Sequence, residues 1–192
     1  TSIFMSNEVG TLGGTTGAIT RIDGATGVPS LLVNLPNSQD GPGLGNLTWS
    51  CARRCLYVTN FEDGRIYRVD PFAAPGNRIK SAWDFATDTL DLSGNPDPND
   101  PPGAVPYGER VWAVADAGDR LFFSVWSEDL AGGVGSNTIQ SVSLDANGNP
   151  IPGTTSIEIV LFGANIFRTP VADLAFDGEC CLFAAQRSMF GF

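Results

Sequence analysis

The chain has no histidine in its 192 residues. This absence excludes Ser-His-Asp and Cys-His nucleophile systems, histidine-ligated haem, and most catalytic zinc sites, because each of them needs an imidazole. Any chemistry here must therefore come from carboxylates, amides, hydroxyls, thiols or a bound cation.

Basic residues are also few. Eleven Lys and Arg stand against 21 Asp and Glu, which gives a formal net charge of -10. Arg53 and Arg54 are the one adjacent basic pair. Nucleic-acid binding is disfavoured, because phosphate contacts need clustered cations. An acidic surface suits solubility, cation binding or repulsion of like surfaces.

Long apolar runs and helical periodicity are missing as well. No run approaches the roughly 18 residues that span a bilayer, and no cationic signal-peptide start is present. What the chain has instead is 42% hydrophobic residues punctuated by 23 Gly and 13 Pro. Glycine and proline fall between the apolar runs, which predicts many short strands connected by turns.

Four stretches repeat one pattern, in which large apolar and aromatic residues are followed by polar ones. They are residues 3–8, 56–63, 121–129 and 182–187. A buried strand reads this way where it emerges at the edge of a sheet. The copy at residues 56–70, LYVTNFEDGRIYRVD, continues through a turn into an alternating strand and so predicts a β-hairpin.

The stretch LYVTNFEDGRIYRVD resembles a blade of the NHL/SMP-30-like, YVTN-type β-propellers. This resemblance, with the recurrence, implies an all-β fold: a β-propeller-type array of four-stranded antiparallel blades. The chain would form one segment of about three blades: a partial blade at 1–45, blades at 46–108 and 109–170, and the start of another at 171–192. We expect it to belong to a six- or seven-bladed ring in a longer chain, with a ring of two chains as the alternative.

The four cysteines lie at positions 51, 55, 180 and 181. Their spacing fits neither a zinc ribbon nor a redox Cys-x-x-Cys motif. Cys51 and Cys55 flank a predicted hairpin turn, so we predict a disulfide between them, with two buried free thiols as the alternative. Cys180 and Cys181 either form a vicinal bridge, or one of them pairs with a residue elsewhere. Disulfides favour an oxidising compartment, and we therefore expect an extracellular or cell-surface protein.

Residues 88–108 form the largest insertion, which we expect to lack regular structure. It contains Asn95, Asp97, Asn99 and Asp100, whose oxygens are of the kind that calcium prefers. The EF-hand pattern fails, because no Gly stands at its sixth position and no Glu at its twelfth. The prolines at 96, 98, 101 and 102 favour a plain surface insertion over a metal site.

Polar residues follow the aromatic strands at equivalent positions. They are Glu8, Asn60, Glu62, Asp63, Glu128 and Asp129. The resemblance to SMP-30-like lactonases implies a divalent cation held by such side chains, with Glu8, Asn60 and Asp63 as candidate calcium ligands. A bound calcium would polarise a lactone carbonyl. The same residues also suit solvated strand ends.

Two further motifs have competing readings. The four tryptophans fall one or two per blade, and we expect them in the core rather than in an exposed sugar-stacking platform. Asn46-Leu47-Thr48 is a glycosylation sequon by pattern.

Two functions compete. The preferred one is a non-catalytic module for binding or assembly, with a protein or carbohydrate at the cell surface, or other copies of itself, as partner. It is preferred because no histidine, activated nucleophile or ligand-spaced cluster is found. The alternative is a calcium-dependent hydrolase of the lactonase or esterase type. Fold alone does not decide between them.

Overall fold

A computed structural model describes residues 2–7, 15–37, 43–96, 104–129, 132–133, 135–161 and 169–187. Side chains are described in these ranges except at 2–7, 129 and 132–133. All regular secondary structure in this part of the chain is β-strand. The described residues contain no helix long and apolar enough to cross a membrane.

The first two sheets are antiparallel and follow chain order. Sheet 1 contains three strands: β1 (Ser2–Asn7), β2 (Ala18–Asp23) and β3 (Pro29–Asn34). Sheet 2 contains five: β4 (Leu44–Ser50), β5 (Cys55–Asn60), β6 (Arg65–Val69), β7 (Ile79–Asp84) and β8 (Thr89–Asp91).

The other two large sheets are also antiparallel. Sheet 3 contains β9 (Arg110–Asp116), β10 (Arg120–Trp126), β13 (Asn137–Ser143) and β14 (Ser156–Leu161). A short pair, β11 (Glu128–Asp129) and β12 (Gly132–Gly133), lies in the connection from β10 to β13. Sheet 4 contains β15 (Val171–Phe176) and β16 (Leu182–Gln186).

The sheets stack face to face, and each of three core clusters lies between two consecutive sheets. Ile19 and Leu32 of sheet 1 pack with Leu56 and Val58 of sheet 2. Tyr57, one residue along, points to the opposite face and packs with sheet 3. The third cluster joins sheet 3 to sheet 4. Strand β5 is therefore buried along its whole length, because alternate side chains meet different neighbouring sheets.

The innermost strands of sheets 2, 3 and 4 also lie side by side, since β9 packs against β4 and against β15. Consecutive antiparallel sheets stacked around adjacent inner strands form a β-propeller-type array. The predicted all-β fold class is confirmed.

The expectation that residues 88–108 lack regular structure is wrong for the first residues of this segment. Strand β8 pairs with β7, with Leu90 opposite Trp83, and gives sheet 2 a fifth strand. The turn before it is well formed: the Asp84 carboxylate accepts the N–H groups of Ala86 and Thr87. The proline-rich composition that suggested irregular structure begins only at Asn95, beyond this strand.

A hydroxyl group bridges neighbouring sheets at two equivalent places. The register of β4 with β5 shifts between Leu44 and Leu47, opposite Thr59, whose Oγ1 accepts the Asn46 N–H at 2.8 Å. The same hydroxyl donates to the Trp112 carbonyl of sheet 3. The Thr59 hydroxyl thus provides a partner for a backbone N–H of the irregular strand in sheet 2 and also binds a backbone carbonyl of sheet 3.

Sheet 3 repeats this arrangement with a serine. The register of β9 with β10 shifts opposite Ser124, whose Oγ accepts the Ala113 N–H at 2.9 Å and donates to the Val171 carbonyl of sheet 4 at 2.7 Å. Thr59 and Ser124 are both almost fully buried. Each hydroxyl therefore satisfies backbone groups that water does not reach.

We predict that Thr59→Val and Ser124→Ala each lower the free energy of unfolding by about 1–3 kcal/mol, because each leaves buried backbone groups without a partner. Urea unfolding measures the effect. The control is Thr89→Val, at an exposed strand position, which should change stability by less than about 0.5 kcal/mol. Equal effects of the Thr59 and Thr89 substitutions would contradict the bridging role.

Candidate functional site

The candidate residues lie at one end of the sheets, which we call the upper rim. It is the end at which β5 finishes with Asn60 and β10 with Trp126, and at which β9 begins with Arg110. Loops from sheets 1, 2 and 3 meet there. The hydrogen bonds of these loops show which polar side chains are engaged by the protein itself.

Asn60 is fully buried and forms a reciprocal amide pair with Asn37, from the loop after β3. The Asn60 amide N–H donates to Asn37 Oδ1 at 2.9 Å, and Asn37 Nδ2 donates to Asn60 Oδ1 at 3.2 Å. Asn60 also donates to the Pro36 carbonyl and accepts the Glu62 backbone N–H at 3.1 Å. The oxygen proposed to hold calcium therefore has two protein donors.

Glu62 joins this group as a second acceptor. The residue is 3% exposed, and its Oε2 accepts a hydrogen bond from Asn37 Nδ2 at 3.1 Å. Its backbone carbonyl accepts the Val105 N–H at 2.8 Å, which holds the end of the long insertion on the rim. Asn37, Asn60 and Glu62 thus connect the loop of sheet 1, the β5–β6 hairpin and the segment that leads to sheet 3.

Asp63 stabilises the β5–β6 turn. Its Oδ1 accepts the Arg65 N–H at 2.9 Å, and its Oδ2 accepts the Tyr67 hydroxyl at 2.5 Å. Burial raises the pKa of Asp63 from 3.8 to about 7, with these hydrogen bonds and the Arg65 charge opposing the shift. The pKa of Tyr67 is also raised, first by burial and then by the neighbouring carboxylate. Both Asp63 oxygens are engaged, so this carboxylate fits a turn better than a metal site.

The remaining candidate ligands divide into two groups. Glu8, Asp97, Asn99 and Asp100 lie outside the described residues, as does the Asp129 side chain. Glu128 is buried, and its backbone N–H and carbonyl both bond to the Asn137 amide. The calcium site therefore stays a prediction. Asn60 and Asp63 have structural partners, and Asn95 is exposed, with its backbone N–H donating to Ser93 Oγ at 3.1 Å.

Asn37 was not among the predicted residues. It lies 23 residues before Asn60 in a loop rich in Gly, Pro and Asp, where an asparagine is ordinary. Its role depends on a contact between two sheets. No local pattern in the sequence carries that information.

Aromatic rings and a guanidinium pack at the rim beside these amides. Phe61 follows Asn60, and its ring centroid lies 4.9 Å from that of Trp126 and 5.2 Å from that of Trp112. Arg110 lies with its Cζ 4.2 Å from the Tyr107 ring centroid and 5.1 Å from that of Trp126. We call these five residues the rim cluster. It attaches the β5–β6 hairpin to sheet 3 through edge contacts and cation–π contacts.

The tryptophan prediction is right for two residues. Trp83 is fully buried and Trp126 is 5% exposed. Trp112 is half-buried within the rim cluster, and Trp49 is 36% exposed beside Phe72. The sequon asparagine, Asn46, donates its amide to Asp173 at 2.5 Å between two sheets, so a glycan on that nitrogen would displace an inter-sheet contact.

The cysteines are thiols in the structure. The hairpin register pairs Cys55 with Ser50, while Cys51 is the first residue of the turn, so the two cysteines do not face each other as the prediction assumed. Cys55 lies in the core with Tyr57, and burial raises the pKa of its thiol. Cys51 is exposed. A Cys51–Cys55 disulfide would require the turn to rearrange.

No protein-family model matches this chain, and no curated protein matches it in sequence. Among solved structures it is similar to the β-propeller domain of Cps50 (Swd1) from Myceliophteria thermophila, at 14% identity and a TM-score of 0.44. The match covers 90% of this chain and 45% of that one, so the chain spans less than half the length of that domain. The fold assignment rests on the sheets themselves. Membership of the NHL/SMP-30-like family stays a prediction.

We predict that the contribution of Asp63 to the free energy of unfolding falls as pH rises from about 4 to about 7. The raised pKa keeps Asp63 protonated in the folded state over a range in which the unfolded chain has already lost that proton. The folded state then binds more protons than the unfolded state, and this group contributes a slope of up to about 1.4 kcal/mol per pH unit.

The measurement is the free energy of unfolding as a function of pH for the natural chain and for Asp63→Asn. The substitution keeps an oxygen that can accept the Arg65 N–H but removes the titrating group. The difference in unfolding free energy between the two proteins should change steadily between pH 4 and 7 and level off above it. A difference that is constant with pH would show that Asp63 does not titrate there.

Proposed function

We propose that the chain is a non-catalytic β-propeller module for binding or assembly, and that it binds β-structured polypeptide at the open side of sheet 4. The observation that carries this proposal is the apolar surface left exposed on β14. Ile159 is 45% exposed, although it lies directly opposite the buried Ile139, on the face of sheet 3 that is turned toward sheet 4.

The packing of sheet 2 against sheet 3 shows what covers the outer part of a sheet when its neighbour has four or more strands. The outer strands of sheet 2 place Ile66 and Trp83 in the core shared with Val142 of sheet 3. Sheet 4 has two strands, and they cover only the inner part of the facing sheet, where Ile139 meets Val171 and Leu174. The outer part, on β14, has no such cover among the described residues.

Strand β16 supplies the hydrogen-bonding edge beside this surface. It pairs with β15 on one side, and its other edge has no strand partner in the part of the chain that the structure describes. An extended segment added there would continue sheet 4 through backbone hydrogen bonds and bring side chains toward Ile159, which lies on the face of sheet 3 that sheet 4 covers. Apolar surface and an open strand edge together favour a protein partner over a carbohydrate.

We predict concentration-dependent self-association that depends on Ile159. A lysine there would place a charge in the surface to be buried. Sedimentation velocity should show that Ile159→Lys weakens association. The control is Phe72→Lys, because Phe72 is an exposed apolar residue, at 63%, in the connection between β6 and β7, and the change in net charge is the same. Equal loss in both variants, or a monomer at every concentration, would contradict self-assembly through this surface.

The lactonase alternative is less well supported. Asn60 and Asp63, its described candidate ligands, are held by Asn37, Arg65 and Tyr67. We expect no calcium-dependent hydrolysis of simple lactones above the uncatalysed rate. Hydrolysis that requires calcium, and that Asn60→Ala abolishes while the variant keeps its circular dichroism spectrum, would support the enzyme and contradict the module.

An extracellular or cell-surface location is part of this proposal and depends on the predicted Cys51–Cys55 disulfide. Mass mapping of a non-reduced digest of freshly isolated protein tests it, and the prediction expects a cross-linked peptide that contains both residues. Free thiols at both positions would contradict the disulfide and remove the support for an oxidising compartment.

A further inference from the structure

The turn between β15 and β16 brings three ligand-type side chains together. Asp177, Cys180 and Cys181 present one carboxylate oxygen and two sulfurs that all lie within 4.8 Å of one another. All three residues are exposed. Among the described residues, no other group of three Cys, Asp or Glu side chains meets this condition.

The backbone of the turn holds these groups in place. Asp177 Oδ1 accepts the N–H groups of Glu179 at 2.8 Å and of Cys180 and Cys181 at 3.0 Å each. The Asp177 N–H donates in turn to the Cys181 carbonyl at 3.1 Å. Four hydrogen bonds therefore fix the carboxylate on the side of the turn that carries the thiols. A ligand that needs all three groups finds them already assembled.

The two sulfurs lie 3.3 Å apart and are not bonded to each other. Tetrahedral coordination by two thiolates at about 2.3 Å each requires a sulfur–sulfur distance of about 3.8 Å. The two side chains need to separate by only about half an ångström to reach it. Rotation about exposed Cα–Cβ bonds supplies such a shift without moving the backbone.

The donor set selects the class of ion. Calcium and magnesium take six or more oxygen ligands, and this turn offers one carboxylate. Thiolates bind soft and borderline ions such as Zn²⁺ and Cd²⁺, for which a carboxylate is an acceptable third ligand. Solvent can complete the coordination because the turn is exposed.

We propose that Asp177, Cys180 and Cys181 form a solvent-open binding site for a thiophilic divalent metal ion of the Zn²⁺ and Cd²⁺ type. Each thiol releases its proton to solvent as its sulfur–metal bond forms, and no electrons are transferred. The bound ion links the start of β16 to the end of β15. This site is at the end of the sheets opposite to the upper rim, and it does not depend on the surface proposed for β14.

The test titrates the whole reduced chain, kept in a phosphine reductant that does not itself supply a thiol, with Cd²⁺. The readout is the ultraviolet thiolate-to-metal charge-transfer absorption, which reports sulfur–metal bonds directly. We expect saturation at one equivalent. Cys180→Ser and Cys181→Ser should each abolish the saturable band, because each removes one of the two sulfurs.

Two variants serve as controls. Cys51→Ser removes another exposed thiol and should leave the titration unchanged. Asp177→Asn keeps an oxygen for the three backbone N–H groups but removes the charge, so it should weaken binding while the turn stays folded. Circular dichroism verifies the fold of each variant.

Three results would overturn the proposal. One is the absence of a saturable band. Another is a band that survives Cys181→Ser or that disappears equally with Cys51→Ser. The third is a Cys180–Cys181 disulfide that mass spectrometry still detects after treatment with the reductant, since that bond would occupy both sulfurs.

Discussion

Two buried hydroxyl groups constrain how the sheets stack, because each bonds to an irregular strand of its own sheet and to a carbonyl of the next sheet. A register shift in an inner strand leaves backbone N–H and carbonyl groups without ladder partners. Between tightly packed sheets these groups are inaccessible to water, and leaving them unpaired would cost on the order of 1–3 kcal/mol each. Thr59 and Ser124 supply the missing partners at the same place in consecutive sheets.

The close approach that this bridge requires also explains a glycine. A Cβ on Gly45 would lie 2.5 Å from the Trp112 carbonyl oxygen and 2.6 Å from Thr59 Oγ1. Any side chain there would push sheet 2 away from sheet 3 and break the hydroxyl bridge. Gly45, which in the sequence looks like part of a turn, therefore sets the spacing between sheets 2 and 3. The same spacing brings the β5–β6 hairpin close enough for Phe61 to pack with Trp112 and Trp126.

The polar residues at the upper rim follow from the same constraint. A strand that is buried on both faces ends in backbone and side-chain groups that still need partners, and here the loops of neighbouring sheets provide them. Asn60 pairs with Asn37, and Asp63 holds its own turn through Arg65 and Tyr67. In a single sequence, a metal ligand cannot be distinguished from a residue that stabilises the end of a strand through hydrogen bonds. Both are carboxylates or amides that follow an apolar run.

The sequence alone was sufficient to predict structure that depends on residues close together in the chain. The hairpin predicted at residues 56–70 forms as β5 and β6, and the Asp63-Gly64 turn joins them, with Gly64 at a φ of 72°. It was insufficient where partners are distant or the register matters. The pairing of Asn37 with Asn60 joins two sheets. The hairpin register that sets Cys55 opposite Ser50 differs by one residue from the one assumed, and one residue decides which side chains face each other.

Burial in this array is decided by neighbours more than by residue type. Strand β5 has a sheet on each face and is buried at every position, whereas β14, with isoleucines and a valine of the same character, is exposed at nearly every position. The two strands differ in what lies beside them. Exposed β-branched residues next to an open strand edge are costly for a protein that remains alone in solution, because they favour non-specific pairing. A partner that covers this surface would remove that cost, and this is why the binding function proposed above lies on the side of the array rather than at the upper rim.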